Sequence, residues 1–189
     1  MEIITQSGFA EQSITKSRFI ALATYCADER EVGAALRAVS VQHANAHHLA
    51  YGFRIKTPEG IVQRFSDAGE PSGTAGVPIL KLIEGRDLVN IAVAVIRYYG
   101  GINLGTGGLA RAYGGTAKLA LDAAKFAPYV AMTKIKLVIE YNRFDELVRD
   151  LTKINGKVID KTFANQVTVI ASLPLDKAAG FALKFPNLY

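Results

Sequence analysis

Phe19, Ala21, Ala23 and Tyr25 alternate with Arg18, Ile20, Leu22 and Thr24, a period of two that predicts a strand over residues 12–26. The period then changes. Val32, Ala35, Leu36 and Val39 fall on one face of a helix, which Asp28 is placed to cap with Glu31 completing a capping box. Two further strands, 47–55 and 61–65, flank Pro58-Glu59-Gly60 and read as a hairpin. Thr74 is expected to cap a short helix over 77–83. The unbroken run Ile91-Ala92-Val93-Ala94-Val95-Ile96 has the character of a central strand covered on both faces. Leu109, Ala112, Tyr113, Thr116 and Ala120 share the face of a long helix that follows.

The pattern restarts near Ala127-Pro128, so the chain reads as a first domain over 1–128 and a smaller one over 129–189. In the second, strand 135–141 precedes a helix on Phe144, Leu147, Val148 and Leu151, closed by Asn155-Gly156. Strands 158–163 and 167–173 surround Ala164-Asn165, and a last helix over 175–184 is stopped by Pro186. The order βαββα is a ferredoxin-like half-sandwich without its final strand.

Composition narrows the picture little further. With 189 residues and 50% hydrophobic content the chain is globular. It holds no stretch of about 20 apolar residues, and its start lacks a secretory pattern. The lone Cys26 offers neither an internal disulfide nor a cysteine metal site. A cytoplasmic location without membrane partners is expected. The net charge of +5 permits phosphate-rich partners without demanding them.

Chemistry concentrates in two glycine-rich loops. The first, residues 64–78, carries Arg64, Ser66, Asp67, Glu70, Ser72 and Thr74 among glycines 69, 73 and 76. Exposed N–H groups at its helix start would bind an anion. Asp67 and Glu70 would act as acid and base or hold a hard metal. Alternatively, Ser66 and Asp67 satisfy the loop's own backbone and Glu70 pairs with Arg64. The second loop, residues 97–111, carries Gly100, Gly101, Gly105, Gly107 and Gly108 between Arg97 and Arg111. It matches neither a Walker nor a dinucleotide fingerprint. Its arginines either bind phosphate or carboxylate or neutralise Asp67 and Glu70, which requires the loops to meet. His47 and His48 are adjacent on a strand, so at most one of them faces a given site. No metal, cofactor or nucleophilic catalytic group is expected. Tyr98, Tyr99 and Tyr113 are candidates for stacking on RNA bases, with core packing the default for Tyr113.

Both loops, in this order and spacing, together with Lys16-Ser17-Arg18-Phe19-Ile20-Ala21 and His47-His48, resemble the signatures of the YigZ/IMPACT family. The resemblance implies an α+β protein. Its first domain would be like domain two of ribosomal protein S-five, and its second ferredoxin-like, as in domain V of elongation factor G. Two positions depart from the family pattern: Ala68 stands where an aspartate is common, and Val77 where a lysine is common. The eukaryotic relatives restrain a translation-initiation kinase through protein contacts and add a different N-terminal domain that is not expected here, so that partner is not transferred. The resemblance thus implies a non-catalytic, translation-linked regulator that binds RNA, the ribosome or a translation-associated protein. The candidate contacts are Arg64, Arg97, Arg111 and the loop residues named above, extended by Lys134, Lys136, Lys153, Lys157 and Lys161. The alternative is an enzyme acting on a phosphorylated or nucleotide substrate at the paired loops.

Overall fold

A computed structural model describes residues 1–185, so the expected stop at Pro186 lies outside the described residues. The chain divides into two compact units, Met1–Tyr129 and Val130–Tyr189.

The first unit is built on a five-stranded, wholly antiparallel sheet. Its strands are β2 (Gly8–Ile14), β3 (Ser17–Tyr25), β4 (His48–Thr57), β5 (Gly60–Ser66) and β6 (Ile91–Tyr98), in the spatial order β2-β3-β6-β4-β5. A small separate sheet pairs β1 (Glu2–Gln6) with β7 (Lys125–Pro128). The buried run of β6 is central, as its composition demands. Ile91, Val93 and Val95 pack on one face against α2 (Gly76–Gly85) and α3 (Gly105–Ala123). Ala92 and Ile96 meet Val32 and Val39 of α1 (Glu29–Gln42) on the other. At the start of α1, Asp28 Oδ1 accepts from the Glu31 N–H at 2.8 Å and Glu31 Oε2 accepts from the Ala27 N–H at 2.7 Å. That is the expected cap, with its return bond shifted by one residue.

Two expectations change. The single strand over 12–26 is two strands, β2 and β3, folded into a hairpin with Ile14 opposite Ser17. Thr15 and Lys16 make the turn at φ of 46° and 65°, the geometry of a two-residue type I′ loop. The usual Asn or Gly is absent there, so nothing in the residue pattern announces the break. The pairing of β1 with β7 joins two short segments from opposite ends of the unit, and local periodicity does not reveal it.

The second unit contains β8 (Met132–Ile139), a single 3₁₀ turn (Tyr141–Arg143), α4 (Phe144–Lys153), β9 (Lys157–Phe163), β10 (Val167–Pro174) and α5 (Leu175–Lys184). Its strand order is β8-β10-β9. Leu137 and Ile139 of β8, Leu147 and Leu151 of α4, the inward row of β10 and Phe181 of α5 form one core. Asn155 at φ 58° and a 2.7 Å bond from the Gly156 N–H to Leu151 O close α4. The fold is α+β throughout, with a ribosomal protein S-five domain-two-like first unit and a ferredoxin-like second.

Candidate functional site

Strand parity builds the centre of the site. Arg97 continues the inward row Ile91, Val93, Val95, and its side chain is only 5% exposed. Across the sheet it stands opposite Phe19 on β3 and His48 on β4. A buried guanidinium needs partners, and the first loop and the start of β3 supply them. Arg97 Nη1 donates to Glu70 Oε1 at 2.7 Å, and Nη2 donates to Ser17 Oγ at 3.3 Å. The plane lies near the rings of Phe19 (5.6 Å) and Tyr99 (5.1 Å), within cation–π range. Its Nε is buried with no hydrogen-bond partner among the described residues.

Glu70 is the joint between the loops. The Tyr113 hydroxyl donates to its Oε1 at 2.7 Å, and His48 Nε2 lies 3.8 Å from the same oxygen. His48 Nδ1 is 2.9 Å from the Ala68 carbonyl, which can only accept, so Nδ1 carries a proton. Burial first, then the bond to Glu70, push the Tyr113 phenol upward, so it stays a donor. The loops therefore meet, and the pairing of Glu70 with Arg64 gives way to pairing with Arg97. Arg64, on the outward row of β5, lies 3.2 Å from Glu29 instead. The reason is burial: Glu70 is 5% exposed and sits against the inward row of β6, beyond reach of an outward strand residue.

The first loop satisfies itself. Asp67 Oδ2 accepts from the Gly73 N–H at 2.8 Å, and Oδ1 accepts from Ala75 and Gly76 at 2.9 and 2.8 Å. Burial pushes this carboxyl up, but the three backbone bonds outweigh it and hold it below its ordinary value. Thr74 is not the cap of α2. It is buried, and its hydroxyl donates to Pro71 O at 2.6 Å, so the N–H groups expected to hold an anion are occupied by Asp67. Ser66 Oγ accepts from the Ala68 N–H at 3.2 Å, while Ser72 is exposed.

The second loop is open. No side chain among the described residues caps α3, and Gly101 (φ 85°) and Gly105 (φ 70°) shape its approach. Gly100 presses on the β2–β3 turn so closely that a Cβ would lie 2.0 Å from Lys16 O. Its N–H donates to Ser17 Oγ at 3.2 Å, which ties loop and hairpin together. At Gly108 a Cβ would crowd Leu104 at 3.1 Å. Arg111 is exposed, forms no ion pair among the described residues and folds back over the first turn. A Cβ on Gly107 would lie 3.5 Å from its Nη1. A cavity of about 320 Å³ opens at this helix start, lined by residues including Glu70, Arg97, Asn103, Gly105 and Thr106.

The remaining candidates lie elsewhere. His47 accepts from the Tyr99 N–H at 3.2 Å, and His43 Nδ1 lies 2.9 Å from the Tyr98 hydroxyl. Burial first, then Glu31 and Asp28, push the Cys26 thiol up to about 11, which leaves it protonated at neutral pH. No three His, Cys, Asp or Glu side chains gather as a metal site among the described residues. No described helix is long and apolar enough to cross a membrane. A cavity of about 380 Å³ between α4 and α5 holds Asp150, Lys153 and Lys184, which pair with one another. Two members of the central network, Tyr113 and Ser17, join the loops against expectation: the sequence marks Tyr113 as a stacking candidate with core packing the default, and Ser17 only as part of the family-like segment. Tyr113 reads as core and is fully buried, yet its hydroxyl reaches the site.

Residues 15–121, which contain both loops and this network, match the family model of the Impact N-terminal domain. The IMPACT family member YigZ of Escherichia coli (strain K12) is 35% identical over 177 residues, 93% of this chain and 87% of its own. The IMPACT family member YvyE of Bacillus subtilis (strain 168) is 42% identical over 111 residues, 59% of this chain and 51% of its own. The crystal structure of a hypothetical protein superposes with a TM-score of 0.74 at 33% identity, covering 97% of this chain and 89% of that one.

Proposed function

The chain belongs to the IMPACT family, and on that footing we propose that it is a non-catalytic, translation-linked binder of RNA or the ribosome. The link to translation comes from the family resemblance. The observation that carries the binding surface is the uncapped start of α3, open to a cavity that buried Arg97 lines, with exposed Arg111 on the same helix. Helix N-terminal N–H groups and arginines are the ordinary contacts of phosphate. The state of the two loop carboxylates supports binding over catalysis. Asp67 holds three backbone N–H groups, and Glu70 holds Arg97 and Tyr113, so neither stands ready as a base.

The second unit adds positive charge. Lys134 and Lys157 both register with Ser172 of β10, and Lys136 registers with Ile170, which sets all three on the sheet face turned from α4 and α5. Lys153 is paired with Asp150, and Lys161 lies over the Phe144 and Phe163 rings. The first three are therefore the better candidates for phosphate contact.

Co-sedimentation with ribosomes across a salt series tests this. Log affinity is expected to fall with log salt by about 0.7 per phosphate neutralised on a single strand. Arg111→Ala should lower that slope by about 1. Absence of binding at low salt, or binding indifferent to salt, would sink the proposal. Binding that survives nuclease digestion would move the contact to a translation-associated protein.

A further inference from the structure

The cavity at the start of α3 displays a particular mixture of donors and acceptors. Its donors are the first backbone N–H groups of a 19-residue helix that no described side chain caps, and the guanidinium of Arg97 on the cavity wall, whose Nε has no partner among the described residues. A buried, unsatisfied guanidinium N–H is costly, and it is most readily explained by a group that the site is built to receive. Tyr99 donates to Asn103 Oδ1 at 3.1 Å and so orients the Asn103 amide on the same cavity.

The acceptor is Glu70. Arg97, Tyr113 and His48 all address its Oε1, which leaves Oε2 without a partner among the described residues. A carboxylate accepts hydrogen bonds and donates none. An oxyanion without a proton would therefore meet Oε2 as oxygen against oxygen, like charge against like. One that still carries a proton can donate to Oε2 while its other oxygens take the N–H groups.

We propose that this cavity is a site for a phosphate monoester in its protonated, singly charged form. It rejects fully ionised oxyanions such as sulfate; of an RNA it takes the terminal phosphate, and the internal phosphodiesters are left to exposed Arg111 and the lysines of the second unit. The inference rests on the reading of the second loop as the binding surface and names the chemistry that it admits. Free phosphate, a small phosphate ester and the terminal phosphate of an RNA share that chemistry. The second proton of a phosphate monoester leaves near pH 6, so this form is present in useful amounts at neutral pH, whereas sulfate has none. Selection by a repulsive acceptor is how an oxyanion site discriminates where its attractive contacts cannot.

The test uses the intact protein and amide NMR of Gly105, Thr106 and Gly107, titrated with the monoester methyl phosphate and with sulfate between pH 5 and 8. Methyl phosphate is expected to shift these amides with an affinity about tenfold or more above that of sulfate near pH 6. The ratio should shrink as pH rises and the ester loses its last proton near pH 6. The charged and titratable groups around Glu70 are Arg97 on β6, His48 on β4, Tyr113 on α3 and Asp67 in its own loop. The ratio, and not either affinity alone, is the readout.

Glu70→Gln keeps an acceptor for Arg97 and Tyr113 but turns an NH₂ toward the cavity. It should bring the ratio to about one by admitting sulfate. Equal binding of the two anions by the unaltered protein would overturn the selection, and unmoved amides with either anion would overturn the site. Competition by a 5′-phosphorylated oligoribonucleotide, and not by its 5′-hydroxyl counterpart, would assign the source to an RNA end. Competition by neither would assign it to free phosphate or a small ester. Ribosome binding is read separately, so a phosphate-selective protein that ignores ribosomes leaves this site standing while the translation-linked reading falls.

Discussion

The two glycine-rich loops have similar composition and both lead into a helix, yet they reach opposite states. In the first, the chain supplies its own anion: Asp67 occupies the Gly73, Ala75 and Gly76 N–H groups, and so fills the start of α2. In the second, no side chain plays that part, and α3 begins open to a cavity. A helix N-terminus after a glycine loop is thus an anion site only when the chain leaves it unfilled. The presence of one well-placed aspartate decides which loop is structural and which is available.

The sharpest way to break the contrast is at the group the loops share. Arg97→Ala would leave Glu70 buried without its ion-pair partner, and urea unfolding should show a loss of about 3–5 kcal/mol. Asp67→Asn comes next. It removes the charge that three N–H groups hold, and should cost about 2 kcal/mol. The pH dependence has a definite sign. The folded carboxyl lies below its ordinary value, so its stabilisation is present above the unfolded value of about 3.9 and is lost as pH falls through the lower, folded one. Melting temperature against pH should therefore fall less steeply in acid for Asp67→Asn than for the unaltered protein.

Thr106→Asp would make the second loop resemble the first. A carboxylate in the first turn of α3 should raise stability by about 0.5 kcal/mol through the helix dipole while weakening anion binding. Opposite signs in unfolding and in phosphate titration would confirm that the open helix start is the site. The smallest effect concerns backbone conformation. The second loop places Gly101 and Gly105 at its left-handed positions, but the first places Ala68 there, at φ 52°. Ala68→Gly should relieve that strain and raise stability by about 0.5 kcal/mol, after the added freedom of the unfolded chain is subtracted.

Much of this arrangement was legible from residue order alone, because it rests on local rules. The Asp28–Glu31 cap, the apolar run of β6 and the buried face of α3 each follow from spacing within a single element. Parity along β6 even sets Arg97 in phase with Ile91, Val93 and Val95, and so points it inward. What local rules do not carry is the register between strands. Glu70 chooses Arg97 over Arg64 because β5 turns Arg64 outward, where Glu29 lies within 3.2 Å. His48 faces the site because β4 pairs it directly with Arg97. Tyr113 hides in the same way: its ring belongs to the core, stacked edge-on against Phe19, and only the depth of α3 brings its hydroxyl to Glu70. The β2–β3 turn leaves no trace either, since Thr15 and Lys16 are not residues that advertise a positive φ.

The contact of Gly100 with the β2–β3 turn has a kinetic consequence. Ser17 holds Arg97 and the Gly100 N–H together, and the glycine backbone rests against Lys16. The mouth of the second loop is therefore set before any ligand arrives, and little chain motion remains to be frozen on capture. Association should then proceed in a single step at a rate governed by encounter and by ionic strength. Differences among ligands would show almost entirely in how long each one stays.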